Sequence, residues 1–170
     1  MHIDPASGRF NGRQHLLPVR IYYEDTDLSG IVYHANHVRY LERGRSEFVR
    51  AAGVDHTTML RGATPFTFVV TKMELTWLRP ARIDDALTVV TTFDRIHGAR
   101  VFNRQLIMRG SDVIVGADVE MVCVSLDGRP RRPSSVLVEA LRPYLLEAPR
   151  ERTAVPTSHA MQRPVLATAD

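Results

Sequence analysis

Cysteine and long apolar runs are scarce in this sequence, and their scarcity excludes several classes of protein. The single cysteine, Cys123, can neither close an internal disulfide nor assemble a thiolate zinc site, which agrees with a reducing compartment. No stretch approaches the roughly 18 apolar residues that a membrane helix needs. The opening MHIDPASGRFNGRQ also lacks the apolar segment of a secretory signal. We therefore predict a cytoplasmic protein with no membrane span.

Several catalytic and ligand-binding motifs are also missing. There is no G-x-S-x-G elbow, no P-loop and no G-x-G-x-x-G, so neither a serine hydrolase triad nor a standard nucleotide fold is indicated. No basic stripe is interleaved with aromatic residues, and we predict no nucleic-acid partner. His34 and His37 have a spacing that a metal could use, but two histidines three apart are common. The sequence therefore predicts no metal and no other cofactor.

The basic residues are almost all arginine, because Lys72 is the single lysine among 22 lysines and arginines. Biased genomic composition explains so general a preference. The segment DGRPRRP is different, since the clustered guanidinium groups of Arg129, Arg131 and Arg132 suit a ligand that carries phosphates. A solvated basic loop explains the same residues equally well.

The length and composition predict one domain. The chain has 170 residues, of which 44% are hydrophobic and 24% charged, so it can bury one sizeable core. We predict a flexible N-terminal segment over 1–15, a globular domain over 16–148 and a disordered tail over 149–170. The tail prediction rests on its proline, alanine and polar residues.

Two hydrophobic periods define the first elements of this domain. Apolar residues alternate along a first predicted strand, at Leu17, Val19, Ile21 and Tyr23. From Asn36 to Ala52 the period becomes that of an amphipathic helix, with Asn36 as its N-cap and Gly53 as its C′ glycine. Gly44 inside this helix costs about 1 kcal/mol relative to alanine, which indicates that a backbone or ring passes close to it. The helix is therefore expected to lie against a sheet.

The rest of the domain is predicted to consist of strands joined by short turns. After a linking segment over 54–64 come PFTFVVTKMELTWLRP, ALTVVTTFDR and ARVFNRQLIMR, with a hairpin signal at His97 and Gly98. The last strand alternates from Val113 to Cys123, which predicts a buried core thiol, and a closing helix runs to Glu147. Such short connections imply antiparallel pairing. The predicted fold is α+β, with an antiparallel sheet covered by the long helix.

An acidic cluster, EDTD, lies between the first strand and the long helix. Its carboxylates are Glu24, Asp25 and Asp27. A carboxylate beside the unpaired N–H groups of a helix N-terminus is minimal equipment for acyl transfer, because one group attacks or activates water while the other polarises a carbonyl. Spacing alone favours a different interpretation, in which the aspartates form Asx turns or cap the helix and Gly30 is a turn glycine.

The run VRIYYEDTDLSGIVYHANHVRYLERGRSEFVRAAG resembles the opening of hotdog-fold acyl-CoA thioesterases of the hydroxybenzoyl-CoA thioesterase and YbgC type. The resemblance extends from about Pro18 to Pro133, since TKMELTWLRPARIDDALTV and the last strand with DGRPRRP are also similar. It implies a five-stranded antiparallel sheet wrapped around the long helix. It also implies that two chains join their sheets edge to edge, with active sites at the interface.

The resemblance assigns roles to individual residues. It implies that Asp27 is the catalytic carboxylate and that the carbonyl-polarising backbone N–H lies near His34. Asp25, Tyr33, Gly30 and the His34 side chain become supporting groups. A related class uses a glutamate from the long helix, for which Glu47 is available here. Whether Asp27 acts as nucleophile or as general base stays open.

The function implied is hydrolysis of an acyl-CoA thioester to a free acid and coenzyme A. The phosphates of coenzyme A would give Arg129, Arg131 and Arg132 a ligand, although acyl carrier protein is an alternative carrier. The expected assembly is a homodimer or homotetramer, because a lone sheet leaves a long open edge. Two alternatives are a hydratase or dehydratase of the same fold and a non-catalytic module that binds acyl-CoA or acyl carrier protein.

Overall fold

The computed structural model describes residues 5–62 and 64–146. Its strands are β1 Arg9–Asn11, β2 Gln14–Arg20, β3 Phe66–Trp77, β4 Ala86–His97, β5 Arg100–Arg109 and β6 Asp112–Ser125. The α-helices are α1 His34–Ala51, α2 His56–Arg61 and α3 Ser135–Leu141, and two 3₁₀ turns cover Tyr23–Asp25 and Arg142–Tyr144. None of the helices in these residues is long and apolar enough to span a membrane.

All the strands form one antiparallel sheet, in the order β1-β2-β4-β5-β6-β3. Tight turns explain why β4, β5 and β6 pair consecutively, because Gly98 and Gly110 adopt φ values of 62° and 58° that glycine tolerates best. Within the described residues β3 pairs on one side, with β6. The other edge of this twelve-residue strand therefore carries unpaired backbone groups.

Helix α1 packs across one face of the sheet and forms the centre of the core. Tyr40, Leu41 and Phe48 on its inner side are at most 1% exposed. A Cβ atom on Gly44 would lie 2.6 Å from Cγ1 of Val89, so helix and sheet meet where no side chain fits between them. The close approach predicted at Gly44 is thereby confirmed.

One long helix wrapped by an antiparallel sheet is the predicted hotdog fold, which is confirmed. The sheet has six strands where five were expected, because β1 adds a short strand beside β2. Residues 9–15 were expected to be flexible, but they form β1 and the start of β2, so the predicted boundary at residue 16 falls inside a strand. Phe10 anchors this hairpin, because its ring stacks on that of Tyr144 at 3.8 Å and meets that of Phe48 edge-on.

The first predicted strand ends earlier than its alternation suggested. β2 stops at Arg20, and Tyr23 begins a 3₁₀ turn. The Asp25 carboxylate accepts a hydrogen bond from the Tyr22 N–H at 2.8 Å and so closes that turn. A local side-chain contact therefore overrides the hydrophobic alternation at this point.

Helix α1 also begins three residues before the position that an N-cap at Asn36 implies. It starts at His34 with Tyr33 as its N-cap, so the prediction of Asn36 as N-cap is wrong. The C-terminal end agrees with the prediction, because Gly53 follows the helix with a φ of +91°.

Two shorter helices differ from the prediction. Helix α2 lies in the predicted linking segment, where the Asp55 side chain caps it by accepting from the Thr58 N–H at 2.7 Å. Helix α3 ends at Leu141 and continues as a 3₁₀ turn. Glu147, the predicted end of the closing helix, and the tail over 149–170 lie outside the described residues.

Cys123 lies in β6 with its side chain on the core face of the sheet. It is fully buried, and burial raises the pKa of its thiol to about 11. The prediction of a core thiol is confirmed.

Candidate active site

Asp25 connects the acidic loop, residues 22–33 between β2 and α1, to the start of the helix. Its backbone carbonyl accepts hydrogen bonds from the Tyr33 N–H at 2.9 Å and from the Asn36 side-chain amide at 3.0 Å. Asn36 is buried, so this second bond is shielded from water. The acidic loop is thereby fixed against the first turn of α1.

Asp27 lies in an exposed turn within the acidic loop. The Gly30 N–H donates to the Asp27 carbonyl at 2.9 Å, and the Asp27 N–H donates to the Ile31 carbonyl at 3.0 Å. Gly30 has a φ of +73°, a conformation that side chains disfavour. The N–H of Ser29, at 2.8 Å, and its hydroxyl both donate to Oδ1 of Asp27. The second carboxylate oxygen, Oδ2, takes no part in these contacts.

These hydrogen bonds keep Asp27 ionised. The Ser29 hydroxyl, and after it the Ser29 amide, lower the pKa of Asp27 below its usual value, and the charge of His34 lowers it further. The side chain is exposed, so a molecule arriving from solvent can reach it. At neutral pH Asp27 is therefore an accessible carboxylate.

Helix α1 begins at His34, which lies close enough to the Asp27 carboxylate to lower its pKa. Tyr33 is the N-cap, and its side chain makes no capping hydrogen bond. The N–H groups of a first helical turn have no intrahelical acceptor and carry the positive end of the helix dipole. The His34 N–H is therefore suited to bind a carbonyl oxygen or an oxyanion.

The two histidines of the first turn have different surroundings. The His34 side chain is exposed, and its ring centroid lies 4.4 Å from that of Tyr33 and 6.3 Å from that of Trp77. His37 is buried, with Nδ1 3.3 Å from the His34 carbonyl, and burial lowers its pKa. No group of three histidine, cysteine or acidic side chains that could hold a metal ion occurs in residues 5–62 and 64–146.

Tyr40 lies below the acidic loop, on the buried face of α1. Its hydroxyl has no hydrogen-bond partner among the residues that the structure describes. Burial, and after it the neighbouring Asp25 carboxylate, raise the pKa of Tyr40 well above its usual value. Tyr40 therefore stays neutral, and it is excluded as a base at physiological pH.

Glu47, the alternative catalytic carboxylate, lies far from the acidic loop. It follows His34 by thirteen positions in α1, which is about 20 Å along the helix axis. Its Oε1 atom pairs with Arg50. The geometry favours Asp27 over Glu47 as the carboxylate beside the helix N-terminus.

The connection between β3 and β4 also supports the acidic loop, and no sequence pattern indicated it. The Val32 N–H donates to the Ala81 carbonyl at 2.8 Å, and Nη1 of Arg82 lies 3.4 Å from the Gly30 carbonyl. The second pair is 52 residues apart in the sequence. Both contacts involve backbone atoms, so the identities of the side chains could not reveal them.

The predicted phosphate-binding residues lie in the basic loop, residues 127–132, which follows β6: Arg129, Arg131 and Arg132. Nη1 of Arg131 donates to the Thr64 and Pro65 carbonyls at 3.2 and 3.3 Å. Arg129 pairs with Asp127 at 3.1 Å, and both side chains are largely exposed. The Arg131 contacts place the basic loop next to the beginning of β3.

The basic loop and Asp27 are therefore at opposite ends of the sheet. His34 contacts Trp77, the last residue of β3, whereas the basic loop lies beside Phe66, the first. A strand of this length spans about 36 Å at 3.3 Å per residue. Within one chain the structure does not bring the arginines to Asp27.

Comparisons with known proteins identify the family of the chain. The chain matches the Thioesterase-like superfamily over residues 22–158. Acyl-CoA thioesterase YbgC of Haemophilus influenzae is 37% identical over 109 residues, which are 64% of this chain and 79% of that protein. Acyl-CoA thioester hydrolase YbgC of Escherichia coli is 38% identical over 125 residues, or 72% of this chain and 92% of that protein.

A solved structure is similar in both sequence and fold. The crystal structure of a probable thioesterase from Bartonella henselae has 42% sequence identity and a TM-score of 0.69, and the match covers 71% of this chain and 99% of that chain. The sequence match, the hotdog fold and the acidic loop at the start of the long helix lead to one conclusion. The chain belongs to the Thioesterase-like superfamily.

Proposed function

We propose that the protein hydrolyses acyl-CoA thioesters, using the Asp27 carboxylate and the first turn of helix α1. The observation that carries this proposal is an exposed, ionised carboxylate beside helix N–H groups that the N-cap side chain leaves free. The relatives from Haemophilus influenzae and Escherichia coli are named as acyl-CoA thioester hydrolases, which supports the same reaction here.

The two groups divide the chemistry between them. The thioester carbonyl oxygen accepts a hydrogen bond from the His34 N–H, which stabilises the negative charge that develops there during attack. Oδ2 of Asp27 either attacks the carbonyl carbon to form an anhydride or takes a proton from an attacking water. In both routes the C–S bond breaks, coenzyme A leaves as the thiol, and water supplies the new oxygen of the acid. Ser29 orients Oδ2 by holding Oδ1.

The open edge of β3 supports assembly into a homodimer, or into a tetramer made of two dimers. This strand has twelve residues, and Val69 and Val70 on it are 47% and 42% exposed. A long open edge with apolar side chains is a surface that proteins usually cover. A second copy covers it by pairing its own β3 antiparallel to the first, about a two-fold axis.

Such an axis exchanges the two ends of β3. It brings the basic loop of one chain to the end of β3 where the other chain carries Asp27 and His34. The arginines can then bind the phosphates of a coenzyme A whose thioester lies at Asp27 of the partner subunit. One site would thus combine the carboxylate of one chain with the basic loop of the other.

A thiol-release assay over a panel of acyl-CoA esters tests the proposed reaction, with esters of acyl carrier protein assayed in parallel. We expect release of free coenzyme A by the unmodified protein and its loss in folded Asp27→Asn. Binding without turnover would overturn the proposal in favour of a non-catalytic module. A change in double-bond absorbance without thiol release would overturn it in favour of a hydratase or dehydratase.

A further inference from the structure

Tyr40 places a hydroxyl group in the interior of the domain, below the acidic loop. The residue is 1% exposed, and none of the residues that the structure describes forms a hydrogen bond with its hydroxyl. Folded proteins rarely leave such a group unpaired, because a buried hydroxyl has given up its hydrogen bonds to water. An acceptor for this hydroxyl is therefore expected close by.

The geometry of α1 directs the Tyr40 hydroxyl toward Asp25. Asn36 precedes Tyr40 by four positions, so both side chains lie on the same side of the helix. The Asn36 amide donates to the Asp25 carbonyl at 3.0 Å, which fixes Asp25 on this side. Long side chains of a helix lean toward its N-terminus, so the Tyr40 ring covers the turn that contains Asn36. The Tyr40 hydroxyl and the Asp25 carboxylate are neighbours, and after burial this proximity is the next cause of the raised pKa of Tyr40.

The Asp25 carboxylate is able to accept a bond from Tyr40. Its Oδ2 atom accepts from the Tyr22 N–H at 2.8 Å, and Oδ1 takes no part in that bond. A carboxylate accepts hydrogen bonds through both oxygens, and a neutral tyrosine donates one. Because the two groups are neighbours, a small rotation of either side chain completes the bond.

Pairing of β3 with a second copy of the chain leaves these surroundings unchanged. Val38 and Glu42 lie on the side of α1 that faces Val70 and Met73 of β3. Tyr40 is two positions from each of these helix residues, so it points to the opposite side of α1. It is also buried within a single chain, so a partner chain has no access to its hydroxyl.

We propose that Tyr40 is a positioning residue of the active site, whose hydroxyl donates to the Asp25 carboxylate and holds the acidic loop against helix α1. The Asp25 carbonyl accepts from the N–H of Tyr33, the residue before His34, at 2.9 Å. Asp25 also precedes Asp27 by two positions. The bond from Tyr40 thereby helps to fix the distance between the Asp27 carboxylate and the His34 N–H. This inference rests on the proposed thioesterase function, which requires both groups at the same thioester.

Tyr40→Phe removes the hydroxyl and keeps the ring, so it tests the bond without emptying the core. We expect kcat for thiol release to fall by about 5- to 20-fold, the effect of one net hydrogen bond. KM should stay within about twofold, because Tyr40 does not touch the substrate. Tyr144→Phe is the matched control and should leave kcat unchanged, since Tyr144 stacks on Phe10 at the other end of α1. An unchanged kcat in folded Tyr40→Phe would overturn the positioning role while leaving the hydrolase proposal intact.

The double variant Tyr40→Phe/Asp25→Ala identifies the acceptor. Asp25→Ala removes the carboxylate and should lower kcat to a similar extent, so Tyr40→Phe should add less than about twofold in that background. Asp25→Asn should keep the bond, because the Tyr40 hydroxyl can accept from the new amide while the amide oxygen accepts from the Tyr22 N–H. Full multiplication of the two separate effects would overturn Asp25 as the acceptor.

The free energies of unfolding of the same four proteins, measured in urea, test the contact without reference to activity. The effects of Tyr40→Phe and Asp25→Ala should not add, and strict additivity would overturn the bond. If the unmodified protein releases no thiol, the proposed function and the positioning role both fail, whereas non-additive free energies would still support the bond. If Asp25→Ala does not fold, kcat of Tyr40→Phe against that of Tyr144→Phe decides.

Discussion

At the scale of single residues, we expect the substitution of Asp27 to lower kcat more than any other single substitution. Asp27→Asn preserves size and most hydrogen bonding but removes the charge and basicity that either route requires. We expect kcat to fall by about 10² to 10⁴, with folding retained. Single-turnover thiol release measures the chemical step directly. A folded variant that keeps more than about a tenth of the rate would remove Asp27 from the mechanism.

Asp25→Asn and His34→Gln are the controls for that substitution. The Asp25 carboxylate accepts a local hydrogen bond from the Tyr22 N–H, so its replacement should cost mainly stability, about 1 kcal/mol. The bonds to Tyr33 and Asn36 use the Asp25 backbone carbonyl and survive the substitution. His34→Gln leaves the backbone N–H in place and should keep much of the activity. If His34→Gln proves more damaging than Asp27→Asn, the imidazole and not the carboxylate activates water.

The contacts of Ser29 predict a pH effect. Both proposed routes require the ionised form of Asp27, so activity should be lost as the pH falls through the lowered pKa of this carboxyl. Ser29→Ala removes the hydroxyl, which is the largest cause of the lowering, and should move the acidic limb of kcat/KM to higher pH. The pH profile of thiol release by both proteins provides the test. An unchanged acidic limb would separate Ser29 from the titrating group.

The sequence predicted the candidate site residues of the acidic loop. It did not predict the contacts from other segments that hold this loop in place. The chemistry of acyl transfer pointed to the acidic cluster, and the family resemblance alone selected Asp27 within it. The turn geometry of Gly30 follows from its residue type. The contact of Arg82 with Gly30 could not be predicted, because it joins segments 52 positions apart through a backbone oxygen. The types of these two residues do not indicate that the Arg82 side chain contacts the Gly30 carbonyl.

At the scale of elements, Gly44 controls how closely α1 approaches the sheet. Gly44→Ala should gain up to about 1 kcal/mol of helix propensity. It should lose more through contact with Val89 and Thr91, where a Cβ would lie 2.6 and 2.9 Å from side-chain atoms. We expect a net loss of about 1 kcal/mol in the free energy of unfolding, measured by chemical denaturation.

The double variant Gly44→Ala/Val89→Ala checks the cause of that loss. It removes the methyl group that the new Cβ would meet, so the two substitutions should cost less together than the sum of their separate effects. Strict additivity would indicate that the helix does not press on Val89.

Elements with a long, regular hydrophobic period were predictable, and elements fixed by pairing were not. Helix α1 and strand β6 repeat their pattern over many residues, so a single irregular position does not obscure them. Strand β1 has three residues, too few for a period, and it forms because β2 offers it an edge. Its anchor, the stack of Phe10 on Tyr144, joins the two ends of the domain.

At the scale of the whole molecule, β3 separates the basic loop from Asp27 within one chain. Mixed dimers can therefore test whether the loop of one chain serves the Asp27 site of the other. Asp27→Asn chains keep the basic loop, and chains with Arg129, Arg131 and Arg132 changed to alanine keep the carboxylate. If the loop acts across the dimer, a mixed dimer contains one complete site. The triple alanine variant alone should release thiol with a raised KM, and Asp27→Asn alone should release little. We therefore expect unfolding and refolding of the two variants together to produce thiol release with a normal KM.

The same mixture distinguishes the alternatives. If the loop serves the site of its own chain, no mixed dimer has a complete site and the KM of the mixture stays raised. Light scattering provides an independent check, because an active monomer at assay concentration would contradict a composite site. Unchanged KM and salt dependence in the triple alanine variant would instead identify the basic loop as a solvated surface.

The stack of Phe10 on Tyr144 also fixes the positions of the two ends of the domain, to which a tag or a second protein would be joined. Both rings pack near Phe48, which follows His34 by fourteen positions, or about 21 Å along α1. The two ends of the domain are therefore neighbours, and both are remote from the acidic loop. Tags joined directly to the ends of the described domain should leave catalysis unaffected. A circular permutant that links these ends and opens the chain at Gly98, at the opposite end of the sheet from Trp77, should retain every contact described around Asp27.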